Sequence, residues 1–380
     1  MPLTLLLHGR HARDGVAYHP LGQWIVPWRF GSLEAEYRAL RTGVGLLDDS
    51  TQALIEVRGA DRVSFLQALL TNDMALLGSG HGCRAALLDA SAKLVADLLI
   101  LADADVLWLM CPLDRASVVV ETLERYHFTE DVTLVNRERA QAVLAFQGPR
   151  TMAVVSQWVG STVSLPTPGD HVVAQLQEVT VRLVRHGLAD EVGLLCLVPA
   201  EAIQSVWETL SHRAPSWGLT LVGWEALNIV RIEAGIPWFG IDMDTTNLLP
   251  ETGLEDALAS ETKGCYLGQE IIARMRTYGS ANKKLMGLLL SAKGGSAYGG
   301  EGDVPQAGDG IVRAGETIGR ITSGCDSPTL RRPIAMGYVK RGAYEPGTAV
   351  EIARGDHRLA ATVVTRPLVL ASSGRTRAGG

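Results

Sequence analysis

The chain reads as an α+β protein in which short antiparallel sheets mix with helices and a separate β domain follows. Three observations carry this. From about residue 33 to residue 280 short strand-like runs alternate with helices, a texture that suits α+β better than a doubly wound sheet. Apolar runs at residues 85–88, 93–101 and 106–111 succeed one another through polar turns, as an antiparallel meander does. Beyond about residue 281, helical periodicity gives way to β-prone runs such as 285–290 and 360–364, separated by Gly, Pro and Asp turns.

The elements follow in order. Residues 33–40 mix apolar and charged positions at helical spacing, and Thr42-Gly-Val-Gly45 ends that helix before a strand at 53–57. Asp61 is placed to cap a helix running to Leu70, the meander follows, and residues 114–126 resemble a capped helix. Strands are then expected at 142–146, 179–184 and 193–198, with helices at 203–210 and 224–234, the last closed by Gly235. Residues 1–280 form a region of several subdomains, of which 50–140 is one. Residues 281–370 form the β domain, with a glycine-rich loop at 293–302, and 371–380 are expected to be a disordered tail.

At 380 residues the chain suits two or three domains, and 47% hydrophobic with 20% charged residues is ordinary globular composition. A net charge of -6 gives no bulk attraction to phosphate backbones; the clusters at Arg137, Arg139 and at Arg331, Arg332 are short, so no nucleic acid partner is expected. The five cysteines are odd in number, widely spaced and free of Cys-x-x-Cys pairing, which disfavours a disulfide framework or a zinc site and suits a reducing, cytoplasmic setting. The start of the chain lacks the regions of a signal peptide, and the most apolar stretch, 94–113, is broken by Asp97, Asp103 and Asp105, so no membrane span is expected. Phosphate-binding loops, zinc-protease helices and serine-hydrolase elbows have no local match.

Three places could carry chemistry. Period-two alternation puts Asp97 on a strand face with Val95, Leu99 and Leu101, where a carboxylate needs donors; a pterin is one source of paired N–H groups, and a rim or backbone-capping role is the other reading. Arg231 sits near the edge of the apolar stripe of its helix, where it could clamp a carboxylate or join a surface ion pair. Cys265 precedes a helix that starts near Gly268 and Gln269 and runs through Arg274, with Lys263 two residues away. Both features would stabilise a thiolate, and a small buried cysteine in a turn fits equally well.

The stretch Lys263-Gly264-Cys265-Tyr266-Leu267-Gly268-Gln269-Glu270, followed by Ala273-Arg274, resembles the signature of YgfZ-like folate-binding proteins of iron–sulfur cluster maintenance, within the glycine cleavage T-protein (aminomethyltransferase) superfamily. Gly45-Leu-Leu-Asp-Asp-Ser50, Arg231-Ile-Glu-Ala-Gly235 and Thr322-Ser-Gly-Cys-Asp-Ser-Pro328 are similar to further superfamily motifs in the same order. The resemblance implies a ring of α+β subdomains around a central folate channel, closed by a small C-terminal β-barrel. By position it makes Asp97 the second acid of a folate-engaging Asp-Asp pair and Arg231 a folate contact. It also shows departures: Ala96 replaces the first acid, Leu195 stands where the T-protein has a pterin-binding glutamate, and Cys111 falls near an asparagine.

The resulting expectation is a cytoplasmic tetrahydrofolate-binding accessory protein for iron–sulfur cluster assembly or repair, partnered by iron–sulfur enzymes or assembly proteins. Cys265 would act as a thiolate whose pKa is lowered by Lys263 and the following helix. A lone cysteine could not hold a cluster, which normally takes four ligands. The alternative is a folate-dependent one-carbon transferase acting on an aminomethyl or N-methyl group, with Asp97 positioning the amine or stabilising a developing cation. A third possibility is an interaction module on the same fold that binds no folate.

Overall fold

The computed structural model describes residues 2–189, 192–279, 281–291 and 304–370; the loop expected at 293–302 and the tail expected at 371–380 lie outside the described residues. Two compact units result, one of Met1–Leu227 with Asp256–Gln269, the other of Asn228–Glu255 with Glu270 onward. The fold is α+β, as the alternating texture implied. No described helix is long and apolar enough to cross a membrane.

The first unit holds three sheets among its described residues. A five-stranded sheet carries the meander: Gly82–Leu88, Leu94–Ala102 and Leu107–Pro112 are successive antiparallel neighbours, continued by Gln52–Arg58 and Thr133–Asn136. Helices Arg62–Leu69 and Ala116–Glu124 cover one face, burying Phe65, Leu66, Val119 and Leu123 against Ala96, Leu98 and Ile100. Asp61 stands at the N-cap position but makes no side-chain cap bond; its carboxylate accepts from the Asp131 N–H at 2.8 Å.

A six-stranded sheet runs in the order His171–Leu176, Val179–Arg185, Gly193–Pro199, Gln141–Gln147, Val44–Asp48, Leu219–Leu221. Its strand Val44–Asp48 was not foreseen. All five of its positions are buried, so it lacks the alternation that marks a half-exposed strand. The helix expected at 203–210 extends over Ile203–Trp217, ending in the left-handed Gly218. A third, small sheet pairs Leu3–Thr4 and Ala17–Leu21 with Trp24–Arg29.

In the second unit, six strands close a barrel in the order Lys283–Leu290, Arg332–Lys340, Glu316–Ser327, Gly310–Arg313, Ala349–Arg354, His357–Val364. Leu288, Ile311, Ile321, Val339, Ile352 and Val363 fill it. Residues 228–255 belong to the same compact unit as this barrel. The reason is a buried ion pair. Arg231 is 1% exposed, and its guanidinium donates to Asp242, to Asn228 Oδ1 through Nε (3.0 Å) and Nη2 (2.8 Å), to Ser323 Oγ (2.7 Å) and to the Ile236 carbonyl (3.4 Å). The Trp238 ring lies 4.5 Å from its Cζ.

Asp242 is equally buried and also accepts from the Trp238 N–H at 3.0 Å and from the hydroxyls of Thr322 and Ser323, both at 2.6 Å. Consecutive strand residues normally point to opposite faces. Here the pairing of Glu316–Ser327 with Arg332–Lys340 slips between Ile321 and Ser323, and this bulge at Thr322 lets both hydroxyls reach one carboxylate. Further along, the Ser327 hydroxyl donates to Glu233, whose carbonyl accepts from Leu368 and Val369 at 2.9 and 2.8 Å. Gly235 ends the helix Trp224–Glu233 at φ +68°, and a Cβ there would stand 2.6 Å from Cβ of Arg366, which donates to the Gly235 carbonyl at 2.7 Å.

Removing one partner of such a pair strands a charge in the interior. Asp242→Ala is therefore expected to destabilise the barrel unit by about 3–5 kcal/mol, a fall of roughly 10 °C in its unfolding midpoint by circular dichroism. A shift under two degrees would contradict the role given to the pair.

Candidate functional site

The strand Leu94–Ala102 has two different faces. Ala96, Leu98, Ile100 and Ala102 enter the core under the helices, which leaves Asp97, Leu99 and Leu101 on the other side. Val95 does not join them as alternation alone implied. Leu87 pairs with Ala96 and Leu88 with Leu94, so Val95 is the extra residue of a bulge and packs into the helix-side core.

Asp97 lies opposite Ala86 and Leu99 opposite Arg84, so Arg84 reaches Asp97 diagonally across the strands. Its Nη2 donates to Asp97 Oδ2 at 2.5 Å, with side chains 30% and 19% exposed respectively. Burial first, and the Arg84 charge second, push the nearby His186 imidazole down to about 3, so it is neutral near pH 7. The loop bearing His186 is held by Gln147, whose amide donates to the His186 carbonyl at 3.3 Å and accepts from the Leu188 N–H at 2.8 Å.

The two departures from the superfamily pattern are buried. Ala96 is inaccessible on the core face. Leu195 is inaccessible in the strand Gly193–Pro199, on the face opposite Leu194, Cys196 and Val198, which enter the core of the six-stranded sheet. Cys111 is buried in the core of the five-stranded sheet, and burial pushes its thiol up to about 12.

The Lys263–Glu270 stretch is anchored on the helix Arg62–Leu69. Lys263 Nζ donates to the carbonyls of Gln67 (2.7 Å), Leu70 (2.7 Å) and Asn72 (2.9 Å), the unsatisfied acceptors at that helix's C-terminal end. Burial pulls its pKa down to about 8, against the raising effects of Asp73 and Cys83. Leu267 donates its N–H to the Ala68 carbonyl at 3.1 Å. Gly268 turns the chain at φ +82°, where a Cβ would come within 3.1 Å of the Ala92 backbone. Tyr266 is buried, and its N–H donates to Gln269 Oε1 at 3.3 Å as the helix Gln269–Tyr278 begins.

Cys265 is exposed between these anchors, and nothing lies within 4 Å of a Cβ at Gly264. All three ammonium N–H groups of Lys263 are held by backbone carbonyls, so the lysine ties a helix end and has no N–H left to donate to the thiol. Glu270 and Arg274 form an exposed i,i+4 pair at 2.9 Å on the helix surface. Arg231, expected as a folate contact, has its five donors satisfied within the second unit and is 1% exposed.

Gly45–Ser50 is a structural corner. Asp48 is buried against His11 Nε2 at 3.1 Å and accepts from the Ser50 N–H (3.2 Å) and hydroxyl (2.6 Å), and its carbonyl accepts from Trp224 Nε1 at 3.2 Å. Asp49 is also buried, with Thr51 Oγ1 donating at 2.9 Å. Burial chiefly, with the Asp48 charge adding to it, raises Asp49 to about 7. Sequence reasoning passed over Arg84 and Asp242. Arg84 showed only as a charge inside an apolar run, which could have been flagged on the same grounds as Asp97.

With this arrangement in hand, comparison places the chain. Residues 7–262 match the GCVT N-terminal domain, and residues 283–369 match the glycine cleavage T-protein C-terminal barrel domain. Proteins named aminomethyltransferase from Geobacillus thermodenitrificans and Anoxybacillus flavithermus are each 30% identical to it, over 94% of this chain and 95% and 96% of theirs. The crystal structure of glycine cleavage system aminomethyltransferase T from Bartonella henselae superposes with a TM-score of 0.85 at 25% identity, covering 98% of this chain and 99% of that one. An α+β protein with a closed six-stranded barrel of T-protein type is thus the class. The chain belongs to the glycine cleavage T-protein family.

Two outcomes follow. Because the folded pKa of Asp49 lies above its unfolded value near 3.9, this residue's stabilising contribution is complete below about pH 4 and is lost as the pH rises through about 7. Asp49→Asn should therefore be more stable than the parent at pH 8, by of the order of 1–4 kcal/mol, with the gap closing towards pH 4; thermal melts across that range test it, and a constant gap would contradict it. Lys263→Met should lower the melting midpoint by several degrees, for about 1–3 kcal/mol of unsatisfied carbonyls, and leave the rate of Cys265 alkylation by iodoacetamide within about twofold. A rate falling about tenfold would restore the activating role.

Proposed function

We propose that this protein binds tetrahydrofolate on the Asp97 face of the five-stranded sheet and transfers to it the methylene carbon of a thiol-bound aminomethyl group, releasing ammonia and the free thiol. The observation that carries this is Asp97 itself: a partly buried carboxylate on an apolar face, with Oδ1 free of any protein donor among the described residues. Such an oxygen fits a ligand N–H. Likeness to aminomethyltransferases over nine-tenths of the chain supports the reaction class.

Asp97 would accept from the pterin and, carrying negative charge, favour a cation developing on the substrate amine. Leu99 and Leu101 on the same face are buried, so the carboxylate stands beside packed apolar side chains. Bound there, tetrahydrofolate supplies the nitrogen nucleophiles that receive the one-carbon unit. With Leu195 and Ala96 at the two other acidic positions of the superfamily, binding and orientation would rest more heavily on Asp97.

Calorimetric titration with tetrahydrofolate, paired with turnover of a lipoyl-bound aminomethyl donor, tests the proposal. Saturable binding and methylene-tetrahydrofolate formation are expected, with kcat/KM at least about tenfold lower in Asp97→Asn. Absence of binding heat, or parental turnover in the variant, would overturn it.

The exposed thiol favours a second reading, an accessory role in iron–sulfur cluster assembly or repair. Cys265 stands out from a loop anchored on both sides by Lys263 and Tyr266, a placement suited to a partner's cluster or thiol. Unchanged iron–sulfur enzyme activity in cells carrying Cys265→Ser would contradict it.

A further inference from the structure

Arg84 has no place in the superfamily motifs, and its setting is unusual for a surface ion pair. It stands on the same sheet face as Leu99 and Leu101, which are 5% and 0% exposed, and opposite Leu99 in register. A guanidinium has five N–H donors. Only Nη2 has a protein acceptor among the described residues, Asp97 Oδ2. The carboxylate likewise keeps Oδ1. The neutral His186 brings no second positive charge to Arg84.

A carboxylate oxygen beside a guanidinium edge is an acceptor next to donors. Its complement is a ring edge carrying an N–H next to a carbonyl, the lactam edge of a 4-oxopterin. We infer that Arg84 determines specificity for this ligand: Asp97 accepts the ring N–H while Arg84 donates to the adjacent 4-oxo oxygen. This deepens the folate reading and rests on it. Arg84 supplies a polar contact in a site where Leu195 replaces a glutamate. It also predicts what the site rejects. A 4-amino group in place of the 4-oxo group turns a donor towards Arg84 and, because the adjacent ring nitrogen then carries no hydrogen, also takes from Asp97 the N–H it accepts, a double mismatch that buried polar sites discriminate against strongly.

Anaerobic calorimetry with tetrahydrofolate and tetrahydroaminopterin, which differ along that one ring edge, tests the inference. The parent protein should bind the 4-oxo compound at least about tenfold more tightly. In Arg84→Gln, whose amide offers an acceptor to the 4-amino group, the ratio should narrow at least about threefold, the remainder being the N–H lost to Asp97; Arg84→Lys, which keeps a donor and the charge, should retain most of it. Circular dichroism melts establish that each variant is folded. Parental binding with an unchanged ratio in Arg84→Gln would overturn the assignment of Arg84 and leave the folate reading standing. No binding of either compound by the parent would remove both.

Discussion

Arg231 and Asp242 carry opposite charges where neither reaches water, and the second unit is organised around satisfying them. Each charge would be prohibitively unfavourable alone in the interior. Together, with Asn228, the Trp238 N–H, two hydroxyls and a backbone carbonyl, they form a closed set. The set tolerates little displacement, because every member is held by at least one other. It ties Thr322 and Ser323 of the barrel to the segment 228–255, and the bulge at Thr322 is the geometric condition for it. Two motifs nearly a hundred residues apart in the chain therefore describe one contact.

The same logic governs the first unit. Lys263 brings an ammonium to three carbonyls at a helix end, and Asp48 is enclosed by His11, Ser50 and the chain around it. In each case a charged or polar residue of a recognisable motif is consumed by backbone or neighbouring side chains. What distinguishes Asp97 and Arg84 is unsatisfied capacity: each is partly accessible and keeps hydrogen-bonding atoms without a protein partner among the described residues. That remaining capacity, more than the presence of a motif, is what supports the proposed site.

Cys265 illustrates the difference between reactivity and presentation. The lysine nearest in sequence is committed elsewhere, yet the anchoring it gives, with the buried Tyr266 and the turn at Gly268, holds an exposed thiol on a fixed loop. What the fold fixes is where this thiol stands. The other cysteines contrast with it: Cys111, Cys196 and Cys325 are buried and held as thiols by desolvation.

The sequence by itself determined the α+β class, the meander, the β character of the last domain and the strand face on which Asp97 stands, because these depend on periodicity along one strand or helix at a time. Alternation placed Asp97 with Leu99 and Leu101, and turn residues marked the strands around it. It misplaced Val95, since a bulge is a property of two strands, and missed Val44–Asp48, since a strand buried on both faces has no alternation to read. Only the tertiary structure decided where each charge ends. Spacing put Lys263 beside Cys265 and Arg231 at the rim of a helix stripe, but hydrogen-bond partners come from segments far away in sequence: Gln67 to Asn72 for the lysine, Asp242 and Ser323 for the arginine, and Arg84 for Asp97. A charge's role follows from which donors and acceptors surround it once water is excluded, and that is settled by packing rather than by local order.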